Sequence, residues 1–173
     1  MKQIKVLSFA ALMGALAIVL SVPPLAVPIS LGSFESYIHF FQIAVFLSGI
    51  LAGPFAGAIS GAIGGTYMAA TTIPFIIGGI AILGCAAGLL AKRVRPLFAG
   101  LLAWVVQAPY VIVTDYIWFT LFLPKPIPTA VALGTLIGIM LKLTLETAVC
   151  SVLAEILVPI IRRTGVSFNN RKV

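Results

Sequence analysis

The sequence predicts an all-α integral membrane protein with six transmembrane helices. Hydrophobic residues occupy 61% of the 173 positions and charged residues only 9%, whereas a soluble domain carries about 25% charged residues. The mean hydropathy of +1.20 points the same way. A soluble domain of this length could not bury so much apolar surface, because small domains leave a large part of it exposed. Prolines, glycines and charged residues divide the chain into apolar segments. A chain of this length has room for roughly five to seven transmembrane spans.

The breaks between the apolar segments define the six helices in order. Pro23 and Pro24 end the first helix, because proline lacks a backbone donor and clashes with the preceding turn. Gly53 and Pro54 form a tight turn between the second helix and the third. A Thr-Thr-Ile-Pro sequence, a basic segment and a proline-rich segment separate the remaining helices. In one domain over residues 1–173, the predicted helices cover 4–22, 34–52, 55–70, 75–91, 97–123 and 129–161.

The basic residues are distributed unequally between the two sides that alternating helices define. Lys125 falls on one side and Lys142 lies within the sixth helix, while the other basic residues share the opposite side. These are Lys2, Lys5, Lys92, Arg93, Arg95, Arg162, Arg163, Arg171 and Lys172. Because cytoplasmic loops are enriched in Lys and Arg, both termini are predicted to be cytoplasmic in a multi-pass protein of the plasma membrane. The net charge of +7 therefore reports topology, and no nucleic-acid partner is expected.

The sequence offers no motif for catalysis, ATP binding or metal ligation. Cys85 and Cys150 each stand alone among apolar and small residues, which is typical of packing positions. We therefore expect no metal, no cofactor and no enzymatic activity.

Glycines recur at every fourth position of the predicted third helix, which places a groove along one helix face. Such grooves allow two helices to approach closely in lipid. The second, third and fourth helices are therefore expected to form a tight and largely inert bundle. The glycines are Gly53, Gly57, Gly61 and Gly65.

The first helix carries two further patterns of small residues. Ala10 and Gly14 form one pair, and Ala11 and Ala15 form the other. From the residues alone, packing within the molecule is the simpler interpretation, and contact with a partner protein is the alternative.

Ionisable side chains at membrane depth are costly, which makes them candidates for function. Glu35 and His39 would share one face of the second helix with Gln42. Asp115 has no basic residue within its own helix, so Lys142, His39, a ligand or water must be its partner. Together with nearby aromatic and amide side chains, the candidate substrate-binding residues are Glu35, His39, Gln107, Tyr110, Asp115, Trp118, Lys142 and Glu146.

Several of these residues have structural interpretations as well. Lys142 and Glu146, four residues apart on a helix, could form an ion pair that holds the bundle together. Glu35 and His39 could lie in the headgroup region, and Trp118 could belong to the interfacial aromatic belt.

The polar candidates lie mainly in the outer half of the predicted bundle. Above them runs the apolar, proline-containing loop 23–33, which could cover a ligand pocket. The inner half is almost entirely apolar, which argues against a channel. Glu155, near the cytoplasmic end, is expected to be structural.

The segment from Tyr37 to Gly61, YIHFFQIAVFLSGILAGPFAGAISG, resembles the second and third helices of energy-coupling factor (ECF) transporter S components, in particular the riboflavin- and pyrimidine-type branch. The chain length, the six helices and the cytoplasmic termini are also similar to this family. The resemblance implies a subunit that captures a vitamin or vitamin precursor from outside. It also implies a membrane T subunit and two ATPase subunits as partners, with Ala11 and Ala15 matching the family's Ala-x-x-x-Ala contact with the T subunit.

The expected ligand is a small heteroaromatic molecule such as a flavin, a pyridine or a pyrimidine. Three alternatives remain open from the residues. The first is a membrane-embedded enzyme that uses Asp115, His39 and Glu146 as acid–base groups. The others are a self-sufficient small transporter or channel, and a purely structural membrane protein.

Overall fold

The fold consists of seven α-helices and one β-hairpin in a computed structural model that describes residues 2–23, 25–31, 34–123 and 127–164. The predicted all-α class is confirmed, with the small hairpin as an addition. Lys125 and the predicted polar tail beyond residue 164 lie outside the described residues. The elements are α1 Lys2–Ser21, β1 Val27–Leu31, β2 Phe34–Ile38, α2 Phe41–Ala52, α3 Pro54–Gly64, α4 Thr66–Thr71, α5 Ile76–Leu90, α6 Pro96–Ile117 and α7 Thr129–Arg163.

Within the described part of the chain, three helical segments are long and apolar enough to cross a membrane: Gln3–Ser21, Pro96–Phe122 and Thr129–Arg163. Helices α2 and α5 are apolar but shorter. Large apolar side chains such as those of Val105 and Ile137 are more than half exposed, as lipid-facing side chains are. These features identify a helical membrane protein, whereas the count of six spans stays a prediction.

The second helix begins at Phe41, and its predicted start at residue 34 is wrong. Residues 34–38 form β2, which pairs antiparallel with β1 in a register that places Val27 opposite Ile38. The aromatic and β-branched residues of β2 suit a strand, and pairing with β1 satisfies its backbone groups. Glu35 therefore does not share a helix face with His39, and the placement of its side chain lies outside what the structure describes.

The predicted glycine groove lies between α3 and α5. A Cβ atom at Gly57 would overlap the carbonyl group of Gly84, and one at Gly61 would overlap the carbonyl group of Ile80. Gly53 has φ +102° and joins α2 to α3 in the tight turn that the sequence predicts. The backbones of these helices are therefore in direct contact, as expected of small-residue packing. The predicted third helix is divided into α3 and α4 at Gly65.

Helix α1 presents two different faces. On one face, a Cβ atom at Gly14 would lie 2.7 Å from the Cβ atom of Ile63, and Ala10 is fully buried. This face packs against α3. Ala11 and Ala15 lie on the other face, where both are exposed.

Except for Lys142, the basic residues at the helix ends of the described chain lie at one end of the helix bundle. The Leu97 N–H group donates a hydrogen bond of 2.9 Å to Glu155 Oε2, which places the start of α6 beside the last turns of α7. Lys92–Arg95 and Arg162–Arg163 accordingly lie at the same end. As expected for Glu155, its contact is structural, because a carboxylate at a helix N-terminus satisfies a free backbone donor.

Candidate ligand-binding site

A cavity of about 600 Å³ lies at the end of the bundle opposite the basic residues. The hairpin, the end of α1 and helices α2, α4, α5, α6 and α7 contribute to its wall. Most of the wall surface is apolar or aromatic, and polar side chains interrupt it at several positions. Both the volume and the composition are typical of sites for small molecules and cofactors.

One face of α6 supplies two buried polar groups to this cavity. Gln107 and Asp115 line it, and each is 6% exposed. Gln107 Oε1 accepts no hydrogen bond from the described residues. Asp115 Oδ1 lies 3.5 Å from the hydroxyl group of Thr114, at the outer limit of a hydrogen bond, and the described residues provide no ion pair for its carboxylate. The predicted partners of Asp115 within the protein, Lys142 and His39, are engaged elsewhere.

Lys142 and His39 both contact Glu146, which is fully buried behind the cavity wall. Glu146 Oε1 lies 3.5 Å from Lys142 Nζ and 3.5 Å from His39 Nδ1. It also accepts a hydrogen bond of 2.7 Å from the backbone N–H group of His39. Of the three contacts, only the backbone bond has ordinary hydrogen-bond geometry. This cluster ties the segment that follows β2 to the middle of α7.

A second set of polar contacts continues along the same interface between α2 and α7. The Thr147 hydroxyl group donates a hydrogen bond of 2.8 Å to Gln42 Oε1. Cys150, fully buried, lies with its sulfur atom 3.9 Å from the carbonyl oxygen of Phe40. Gln42 therefore has a partner on α7.

Two glycines of α5 make room for polar side chains of α6. A Cβ atom at Gly78 would overlap the Tyr110 hydroxyl group, which donates a hydrogen bond of 3.1 Å to the carbonyl oxygen of Phe75. A Cβ atom at Gly79 would lie 3.2 Å from Gln107 Nε2. The sequence Gly78-Gly79 therefore lets Tyr110 and Gln107 occupy the wall between α5 and α6.

Aromatic rings form the outer part of the wall, where α6 ends in a π-helical turn over Trp118–Phe122. Trp118 and Phe122 stack with ring centroids 6.0 Å apart, and Phe75 packs edge-on against both. Tyr37, from β2, reaches the cavity from the hairpin. Such rings offer flat apolar surfaces to an aromatic ligand.

The structure brings six of the eight predicted binding residues together around the cavity: His39, Gln107, Tyr110, Asp115, Trp118 and Lys142. Glu146 stands behind them, and the side chain of Glu35 lies outside the description. The binding roles of these residues stay predictions.

Sequence reasoning missed the contribution of α4 and α5. Tyr67, Thr72, Phe75 and Gly79 also line the cavity, although the sequence predicted only packing for this part of the bundle. A tyrosine and two adjacent threonines within an otherwise apolar region were the available signal.

No protein-family model and no curated protein matches this chain. A solved structure of ThiT from Listeria monocytogenes is similar to it, with a TM-score of 0.63, over 95% of this chain and 96% of that chain. This chain has the fold of ThiT. The two sequences are 17% identical, so the similarity to ThiT concerns the fold and not the individual binding residues.

Proposed function

We propose that this chain is the substrate-binding S component of an ECF-type importer and captures a vitamin or vitamin precursor. The observation that carries the proposal is a largely apolar cavity with a few buried polar groups, on a fold shared with ThiT, a thiamine S component. The chain itself binds and does not catalyse.

The position of the cavity supports capture from outside the cell. Lys92–Arg95 and Arg162–Arg163 gather at the end of the bundle away from the cavity. Under the positive-inside rule that end faces the cytoplasm, so the cavity opens toward the exterior of the plasma membrane. Both termini are then cytoplasmic, and the chain crosses the membrane six times.

The exposed face of α1 is the proposed contact with a membrane T subunit. Ala11 and Ala15 lie on this face, while the packing of α1 against α3 uses the other one. Small side chains allow a partner helix to approach closely in lipid. Two ATPase subunits joined to the T subunit would supply the energy for import.

The geometry favours binding over acid–base catalysis. Glu146 is fully buried and does not line the cavity, and its Oε1 atom is engaged by Lys142 and His39. Asp115 forms no ion pair with that cluster within the described chain. The three acid–base candidates therefore do not converge on one reacting atom, as catalysis would require.

Replacement of both Ala11 and Ala15 with tryptophan tests the proposed assembly. Uptake by cells that contain the complete transporter should be lost, because two indole rings prevent close helix contact, whereas ligand binding by the purified variant should be unchanged. Leu133→Trp, at an exposed apolar position of α7, is the matched control and should retain uptake. Parallel loss of binding and uptake would show that the alanines serve internal packing, and unchanged uptake would contradict the proposed interface.

A further inference from the structure

Exposed basic side chains gather at the end of the bundle opposite the cavity. Of the chain's four acidic residues, only Glu155 belongs to this end, since the others belong to β2, the last turns of α6 and the middle of α7. Neither ion pair of the described residues includes a basic side chain of this end. Its positive charge is therefore in excess. The exposed basic residues are Lys5 at the start of α1, Lys92, Arg93 and Arg95 between α5 and α6, and Arg162 and Arg163 at the end of α7.

The carboxylate of Glu155 is already engaged by the backbone of α6. Its Oε2 atom accepts the hydrogen bond of 2.9 Å from the N–H group of Leu97, in the first turn of that helix. Pro96, the residue before Leu97, has no N–H group. The start of α6 therefore has little to offer an anion. The arginine side chains are better suited, because each presents a planar fork of N–H donors that matches the geometry of a phosphate group.

The contact between Glu155 and Leu97 also sets the positions of two arginines. Arg95 directly precedes α6 and has an extended backbone conformation. Arg162 follows Glu155 by seven residues, or about two helical turns, so it lies on the face of α7 that meets the start of α6. Arg95 and Arg162, from neighbouring helices, therefore flank the junction of α6 and α7 at the basic end. Arg163 adjoins them.

Exposed apolar side chains lie about one helical turn from these arginines, toward the middle of the bundle. Phe98 follows Arg95 by three residues on α6, and Ile160 precedes Arg163 by three residues on α7. Phe98 and Ile160 are each 52% exposed. Positive charge at the helix ends and apolar surface one turn deeper match a phospholipid, whose phosphate lies above its acyl chains. A soluble acidic molecule would leave the apolar side chains uncovered.

We propose that the junction of α6 and α7 at the basic end binds an anionic phospholipid, with Arg95, Arg162 and Arg163 around its phosphate group and its acyl chains along Phe98 and Ile160. The inference goes beyond the proposed capture of a vitamin and requires only that the chain spans a membrane. The bound lipid holds this end of the bundle at the headgroup layer. Charge-assisted hydrogen bonds to its phosphate add to the general attraction between basic residues and an anionic membrane surface.

Native mass spectrometry of the purified chain, titrated in detergent with phosphatidylglycerol or phosphatidylcholine of identical acyl chains, tests this inference. Both lipids carry a phosphate group, but only phosphatidylglycerol has a net negative charge. It should bind at least about tenfold more tightly than phosphatidylcholine, since each basic residue near a headgroup contributes a factor of about five. Equal affinity for the two lipids would overturn the inference.

A soluble competitor distinguishes a lipid from a free phosphate compound as the ligand. sn-Glycerol 3-phosphate carries the phosphate group without acyl chains, and at the same concentration it should not displace phosphatidylglycerol. Displacement would show that the arginines bind soluble phosphate compounds, and the assignment to a lipid would be wrong.

Three charge-removing variants locate the site. Arg95→Gln and Arg162→Gln should each weaken phosphatidylglycerol binding about fivefold and leave phosphatidylcholine binding unchanged. Lys5→Gln, the matched control, removes the same charge at the same end but from α1, which packs against α2 and α3. It should bind phosphatidylglycerol as the unmodified chain does. Equal losses in all three variants would show that only the total charge attracts the lipid, and unchanged binding by both arginine variants would place the lipid elsewhere. Either result would overturn the site at α6 and α7.

Discussion

At the scale of single residues, Glu146 connects the hairpin to the helices. One of its oxygen atoms accepts a hydrogen bond from the His39 backbone N–H group. The same atom lies 3.5 Å from two potential cations, the side chains of Lys142 and His39. A carboxylate that is fully buried requires such partners, because the cost of its desolvation must be offset. The ion pair with Lys142 therefore has a structural role, even though Lys142 also reaches the cavity wall.

Glu146→Gln should lower the free energy of unfolding by about 3–5 kcal/mol, because it leaves the charge of Lys142 buried without a partner. The amide oxygen of the variant can still accept the hydrogen bond from the His39 N–H group. The loss of stability would therefore measure the effect of removing the negative charge. The double variant Lys142→Met/Glu146→Gln should recover most of this stability. Thermal unfolding in detergent, followed by circular dichroism, measures both effects. Equal losses in the single and double variants would show that Lys142 is not the cause.

At this scale, the sequence indicates which polar side chains need a partner inside the protein. It does not indicate which residue each of them contacts. The interval of four residues predicts the contact of Lys142 with Glu146, and the apolar context of Asp115 predicts its burial. That Glu146 would also bind His39 could not be predicted, because the contact joins residues 107 positions apart. Tyr67 was missed because an isolated tyrosine in an apolar helix is equally suited to simple packing.

At the scale of secondary-structure elements, the helices were more predictable than the hairpin. Prolines and charged residues predict helix ends within a few positions, as at the start of α6 beside Arg95. The strand β2 is a short sequence of aromatic, apolar and polar residues directly before an apolar helix, and such a sequence fits a strand or a helix. Its pairing with β1 decides between them, and that pairing is a tertiary contact.

The contact between α3 and α5 gives a prediction at this scale. Gly57→Ala should lower the free energy of unfolding by about 1–3 kcal/mol or more, because the new Cβ atom would overlap the Gly84 carbonyl group. Gly134→Ala is the matched control, since no atom lies within 4 Å of the added group. That variant should gain up to about 1 kcal/mol from helix propensity. Similar stability of the two variants, measured by thermal unfolding, would contradict the close packing of α3 and α5.

At the scale of the whole molecule, the chain has two different ends. The cavity, the hairpin and the aromatic cluster occupy one end, and the exposed basic residues occupy the other. The unequal charge distribution was visible in the sequence, because it depends on the order of helices and not on their packing. The cavity was not visible in the sequence, because five helices separated in sequence contribute to it along with the hairpin and the end of α1.

Labelling from outside the cell tests the orientation of these ends. In a chain with Cys85 and Cys150 replaced by alanine, a membrane-impermeant thiol reagent should label Leu25→Cys but not Arg93→Cys. Leu25 is 48% exposed beside the hairpin, whereas the adjacent Ala26 is buried and would be a poor labelling site. Labelling of Arg93→Cys in intact cells, without labelling of Leu25→Cys, would reverse the proposed topology.

Native mass spectrometry of the purified chain tests most directly whether the cavity holds a small molecule. The unmodified chain should carry one bound ligand, and Gly79→Leu should carry none, because its side chain extends from a position beside Gln107 that lines the cavity. Gly134→Leu makes the same change at an exposed position of α7 and should retain the ligand. Circular dichroism should show that both variants are folded. Ligand retained by Gly79→Leu, or absent from the unmodified chain, would contradict binding in this cavity.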